Sequence, residues 1–187
     1  MKKTFKLVVI ALTVLATGCV MTSCEEIANF FDPGTTYTYT GAGSSQSLTG
    51  SYASNDWRRI NERDTTISPM QIILKSTTSE ATLTIPAYND GKVSLGIITI
   101  GGLTQTTNEE GTLTTLGIDM SKTTIDGSIV IGSSTYELAN LYFEKATANT
   151  SEINLDMTLY FSNSDTDGDD YSKAINFTFK GVNNDAE

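Results

Sequence analysis

The chain has 187 residues, with 22 acidic side chains against 12 basic ones, no histidine and a formal net charge of −10. That length suits one domain with a sizeable core, and the acidic balance disfavours nucleic acid as a partner, because a phosphate backbone needs a basic face. The missing histidine excludes Ser/His/Asp and Cys/His nucleophilic systems.

The first zone, Met1 to Lys6, is basic; Leu7 to Ala16 is almost purely apolar; Thr17 to Ser23 is small and semi-polar. That is the order of a secretory signal. Ten apolar residues reach roughly 15 Å as a helix, about half a hydrocarbon core, which suits export better than spanning. The stretch TGCVMTSCEE holds both cysteines of the chain, Cys19 and Cys24, and resembles the bacterial lipobox. Cys24, preceded by Thr22-Ser23 and followed by Glu25-Glu26, is the expected acylated residue, with Cys19 as the alternative. The organisation expected is a lipoprotein signal at 1–23, a tether at 24–35, a β domain at 36–182 and a tail at 183–187. Lysines 2, 3 and 6 leave with the signal, so the remainder is more acidic still. It suits a water-exposed body held near an anionic membrane without lying on it.

Beyond the Asp32-Pro33-Gly34 turn signal the pattern becomes strand-like. Residues 36–40 (TYTYT) alternate aromatic and hydroxyl side chains, which places Tyr37 and Tyr39 on one face. GAGSS follows as an expected loop, then weaker strands at 46–53 and 57–63 with Asn55-Asp56 as a turn between them. Stronger strand signals cover 67–76, 81–88 and 92–101, with Asn89-Asp90-Gly91 as a hairpin mark. Further segments are expected at 103–107, 111–118, 125–131 and 134–146, the last changing parity near Ala139-Asn140, which implies a bulge. Ile153 to Phe161 and Ile175 to Phe179 alternate strictly between apolar and polar residues, so each strand has one dry and one wet face. About 8–10 strands with short connections and no convincing helix predict an all-β, antiparallel, up-and-down barrel, with a β-sandwich as the alternative.

The runs TIPAYNDGKVSLGIITIGGLT, GSIVIGSSTYELANLYF, INLDMTLYFSN and INFTFKG resemble the calycin-like lipoproteins of Bacteroidetes over roughly residues 36–181. The resemblance implies a calycin-like, lipocalin-type β-barrel attached to the outer membrane by its lipid, on the periplasmic or the cell-surface side. Typical lipocalins open with Gly-x-Trp and close the barrel base with an Arg; Gly50-Ser51-Tyr52 and Lys180 occupy the comparable places here.

Residues 163–170 (NSDTDGDD) overlap the start of a calcium loop, with Asn163, Asp165, Asp167 and Asp169 as candidate oxygen ligands and Gly168 at the sixth position. Ala174 stands where the bidentate Glu belongs, and a solvated loop between the two best strands accounts for the segment as well. Trp57 and Arg58 join the single tryptophan to one of three arginines, a pairing that could stack a sugar or pin an anion, or plug a barrel end. Glu109-Glu110 and the pair Glu152 and Asp156 fall in a turn and on a wet face, so no enzyme is expected. The reading is a lipid-anchored binding module for a small hydrophobic or glycan ligand. Its alternative is a filled, non-catalytic barrel that contacts an unidentified envelope protein.

Overall fold

The computed structural model describes residues 31, 34–61, 64–163 and 171–185. The expected signal, Cys19, Cys24 and most of the tether lie outside the described residues, as do Asp165, Asp167 and Asp169. Thirteen strands and no helix make up the described chain. Along the chain these are β1 (Thr36–Ser51), β2 (Asp56–Arg59), β3 (Thr65–Ser76), β4 (Glu80–Ile85), β5 (Tyr88–Asn89) and β6 (Val93–Leu95). Then come β7 (Ile98–Thr107), β8 (Thr114–Gly117), β9 (Thr124–Asp126), β10 (Ser128–Ile131), β11 (Ser134–Ala148), β12 (Glu152–Ser162) and β13 (Lys173–Val182).

All pairings are antiparallel, and β1, β3, β4, β7, β8, β11, β12 and β13 pair successively until β13 returns to β1. The ring therefore closes in chain order, as an up-and-down meander. Off it, β2 extends β1, β9 lies on β7, and β10, β6 and β5 run outward from β11. Closure follows from the alternation: each long strand has one apolar face, and a sheet that curls shut buries that face and leaves the ring no exposed edge. Tyr39, Ile72, Leu74, Leu83, Ile100, Leu159 and Phe177 are wholly buried members of one contiguous cluster inside it. An eight-strand ring is about wide enough for its own side chains to fill.

Several expectations change in the details. GAGSS is not a loop but the middle of β1, paired with β13 throughout. Gly41 is needed there because a Cβ would sit 2.0 Å from the Lys180 carbonyl oxygen, and glycine in a strand marks such a close approach. Gly101-Gly102 likewise lies inside β7, where the register with β4 slips; Gly102 has φ +67° and faces the Lys122 carbonyl. The single strand expected at 92–101 is divided between β6 and β7. The bulge expected near Ala139-Asn140 is present, and a second one at Glu144 restores the original phase of β11.

At the Thr36 end, Phe31 packs on Tyr37 with ring centroids 4.9 Å apart. The Gly34 N–H donates to the Ser76 carbonyl and the Ser76 N–H to that of Thr35. The Tyr39 hydroxyl donates to the Asn149 carbonyl at 2.6 Å, tying β1 to the turn between β11 and β12. Burial, with Tyr37 nearby, pushes that phenol far above its ordinary range.

Candidate functional site: an aromatic cluster on the outer wall

The dry phase of β12 is Ile153, Leu155, Met157, Leu159 and Phe161; the wet phase is Asn154, Asp156, Thr158 and Tyr160. Tyr160 is thus an aromatic on the outside of the ring. It meets Tyr52, from the β1–β2 turn, at 5.1 Å between centroids with planes 81° apart, Trp57 of β2 at 5.9 Å, and Tyr171, just before β13, at 5.8 Å. Tyr52 and Tyr171 are also in edge contact, at 5.1 Å. Such tilted and edge-to-face pairs each contribute about 0.5–1.5 kcal/mol beyond burial.

Local geometry explains the gathering. The turn at Tyr52–Asn55 has Asn55 in the left-handed region at φ 52°, and it folds β2 back on β1 so that Trp57 lies opposite Gly50. Backbone bonds from Gly50 N–H to Ser172 and from Tyr52 N–H to Tyr171 hold the start of β13 alongside. Leu48 and Ala174 share the outward row with Tyr160, and both are buried without belonging to the main core. The cluster therefore has a small apolar base of its own. Its upper side stays open: Tyr52 is 44 % exposed, while Trp57 and Tyr160 are half-buried. Burial and then Tyr52 raise the Tyr160 phenol above its ordinary value, so it remains a neutral donor around neutral pH.

A polar group adjoins the rings where the Asn140 amide reaches the Tyr171 hydroxyl at 3.5 Å. Lys173 belongs instead to the inward row with Phe161 and Thr49; it donates to Thr49 Oγ1 at 2.6 Å and stands 5.3 Å from the centroid of Tyr136, which packs against the main core. Trp57 and Arg58 are consecutive in an extended strand, so they project to opposite faces. Arg58 meets Asp56 at 3.6 Å, with its side chain 79 % exposed. Trp57 is set against Tyr160 outside the ring rather than within its core.

Asn163 lies just past β12, and among the described residues no group of three or more Cys, Asp or Glu is placed to hold a metal. Glu109 and Glu110 sit in the exposed β7–β8 turn, and Glu152 and Asp156 lie exposed along β12. A second polar knot forms at Asp90. It accepts from the Asn61 amide at 2.7 Å, the Thr65 hydroxyl at 2.9 Å, and the N–H groups of Lys92 and Val93. Partial burial opposes its charge, yet the bonds from Val93, Lys92 and Thr65 outweigh it and hold the carboxyl below its ordinary value. Nearby, burial pushes the Tyr88 phenol up to about 12 while its hydroxyl donates to Ser45. This knot joins the β5–β6 hairpin to the β2–β3 loop, which is structural work.

No protein family, curated protein or solved structure matches the chain. The arrangement of its own residues therefore carries the functional argument.

Proposed function

We propose that this protein is a non-catalytic binding module of the cell envelope, held at the outer membrane by acylation of Cys24, or of Cys19, and recognising a carbohydrate through the outer-wall rings of Tyr52, Trp57 and Tyr160. The observation that carries this reading is the open aromatic cluster on the outside of a ring whose inward side chains are buried against one another. Flat rings offer apolar area at little entropic cost, while phenol and amide groups at their margins orient a hydroxylated ligand. An interior ligand fits less well with wholly buried Ile72, Leu83 and Phe177. Affinity electrophoresis through gels containing neutral or acidic polysaccharides tests the reading. The chain should be retarded by at least one of them, and Trp57→Ala and Tyr160→Ala should release it; unretarded migration in every gel overturns the proposal.

A second reading, contact with another envelope protein, is favoured by Met120. It is 75 % exposed above a hollow of about 30 Å³ that it lines with Ile118, Ile125 and Leu141.

A further inference from the structure

The wall carrying the aromatic cluster continues toward the other end of the ring, and its register can be followed row by row. Tyr160 faces Ala174, Thr158 faces Asn176, Asp156 faces Thr178 and Asn154 faces Lys180. On β1 the same rows continue to Leu48, Gln46, Ser44 and Ala42. From Tyr160 to Asn154 is six residues, roughly 20 Å of strand. At the far end lies a groove of about 260 Å³ whose lining includes Ala42, Ser44, Thr178, Asp156, Lys145 and Lys180. Its middle is low because Ala42, Ser44 and Thr178 are short, and two long cationic side chains stand beside them.

Resting on the carbohydrate reading above, we infer that the ligand is an acidic saccharide chain, with sugar rings at Trp57 and Tyr160 and a carboxylate or sulfate in the Lys145–Lys180 groove. Three features select this occupant. First, both lysines are exposed, line the same groove, and neither is ion-paired with a described residue. Asp156 is the acidic group lining the groove, so two positive charges there face one negative charge. Second, the rows between the two ends present Thr158, Asn176, Gln46, Ser44 and Thr178, which are hydroxyls and amides, with Thr158 donating to Asn176 at 3.0 Å. Those rows offer nothing to an acyl chain or an amphipathic helix, both of which need a continuous apolar strip. Third, rings and cations are separated along the outward phase of β12 and β13, with Trp57 and Lys145 added from the flanking β2 and β11, as an extended ligand of repeating units requires.

The test compares an oligogalacturonate with its fully methyl-esterified form, which has the same backbone without the charge, by isothermal titration at low and at high salt. The free acid should bind about tenfold more tightly, the amount expected of two exposed ionic contacts, and added salt should remove the difference. The double variant Lys145→Met, Lys180→Met, altered only at exposed positions, should bind both forms alike. Tyr160→Ala should weaken both. Equal affinity of wild type for acid and ester, or a lysine variant that still prefers the acid, overturns the inference and leaves carbohydrate binding standing. Failure of both forms, in a protein that neutral polysaccharide gels do retard, also overturns it, whereas failure in every saccharide assay overturns both proposals. Binding of poly-glutamate as tightly as the oligogalacturonate would replace the saccharide with an acidic peptide.

Discussion

Phe177→Ala separates a filled ring from an open one. Phe177 is fully buried on β13, opposite Met157 of β12 and Ser45 of β1, and a Cβ added to Gly43 would come within 3.5 Å of its ring. Removing a ring from so packed a site forfeits its transfer energy and leaves a cavity that the closed sheet cannot collapse around. The loss should be about 3–5 kcal/mol. For a domain of this size each kcal/mol moves the midpoint by about 2–4 °C, so Tm should fall by roughly 6–20 °C. Urea unfolding should show a lower midpoint with an unchanged slope, since the surface exposed on unfolding is the same. Phe177→Leu, which keeps most of the volume, should lose much less. A loss below about 1 kcal/mol for Phe177→Ala would mean that the ring borders empty space, and the argument against an interior ligand would fall with it.

Tyr39→Phe should cost about 1 kcal/mol in urea unfolding, because it removes one hydrogen bond to a carbonyl and keeps the ring; a neutral result would deny the bond to Asn149 a stabilising role. Asp90 has a depressed carboxyl, so its contribution is present above the unfolded carboxylate value and is lost as pH falls through the folded one. The stability gap between wild type and Asp90→Asn should accordingly be wider at pH 7 than near pH 3, and a gap that widens in acid would contradict the geometry. Gly102→Val places a β-branched residue at positive φ against the Lys122 carbonyl and should destabilise by about 1–3 kcal/mol; a native-like midpoint would show that the bulge is not fixed. Intact-mass analysis of membrane-derived protein should find an acylated amino terminus at Cys24 or Cys19, and a free cysteine at both would remove the anchor.

Much of the architecture was legible because its cause is local. Strict alternation marked β12 and β13, paired tyrosines marked the start of β1, and Asn89-Asp90-Gly91 marked the β5–β6 hairpin. What escaped depends on neighbours distant in sequence. Gly41 reads as a loop residue until the Lys180 carbonyl is placed against it, and the second slip in β11 leaves no trace at Glu144 beyond a return to the earlier phase. The aromatic cluster gathers residues from a turn, a short strand, a long strand and a strand approach, which no single window contains. Its one sequence signal is Tyr160, an aromatic on the polar phase of Asn154, Asp156 and Thr158. Trp57 stands out in the sequence for its arginine neighbour, but its ring partner is Tyr160, more than a hundred positions later.

β1 joins the place where the chain comes into the domain, beside Phe31, to the aromatic end beside Tyr52. Its sixteen residues make a boom about 50 Å long, shortened by the tilt of a closed ring. On the proposed anchor at Cys24 or Cys19 the attachment precedes Phe31 in the chain, so Tyr52 and Trp57 stand at the opposite end of the boom. The lysine groove, beside Ala42 and Ser44, lies between the two ends, so a polymer lying along the wall would have its charged units on the Phe31 side of its stacked rings.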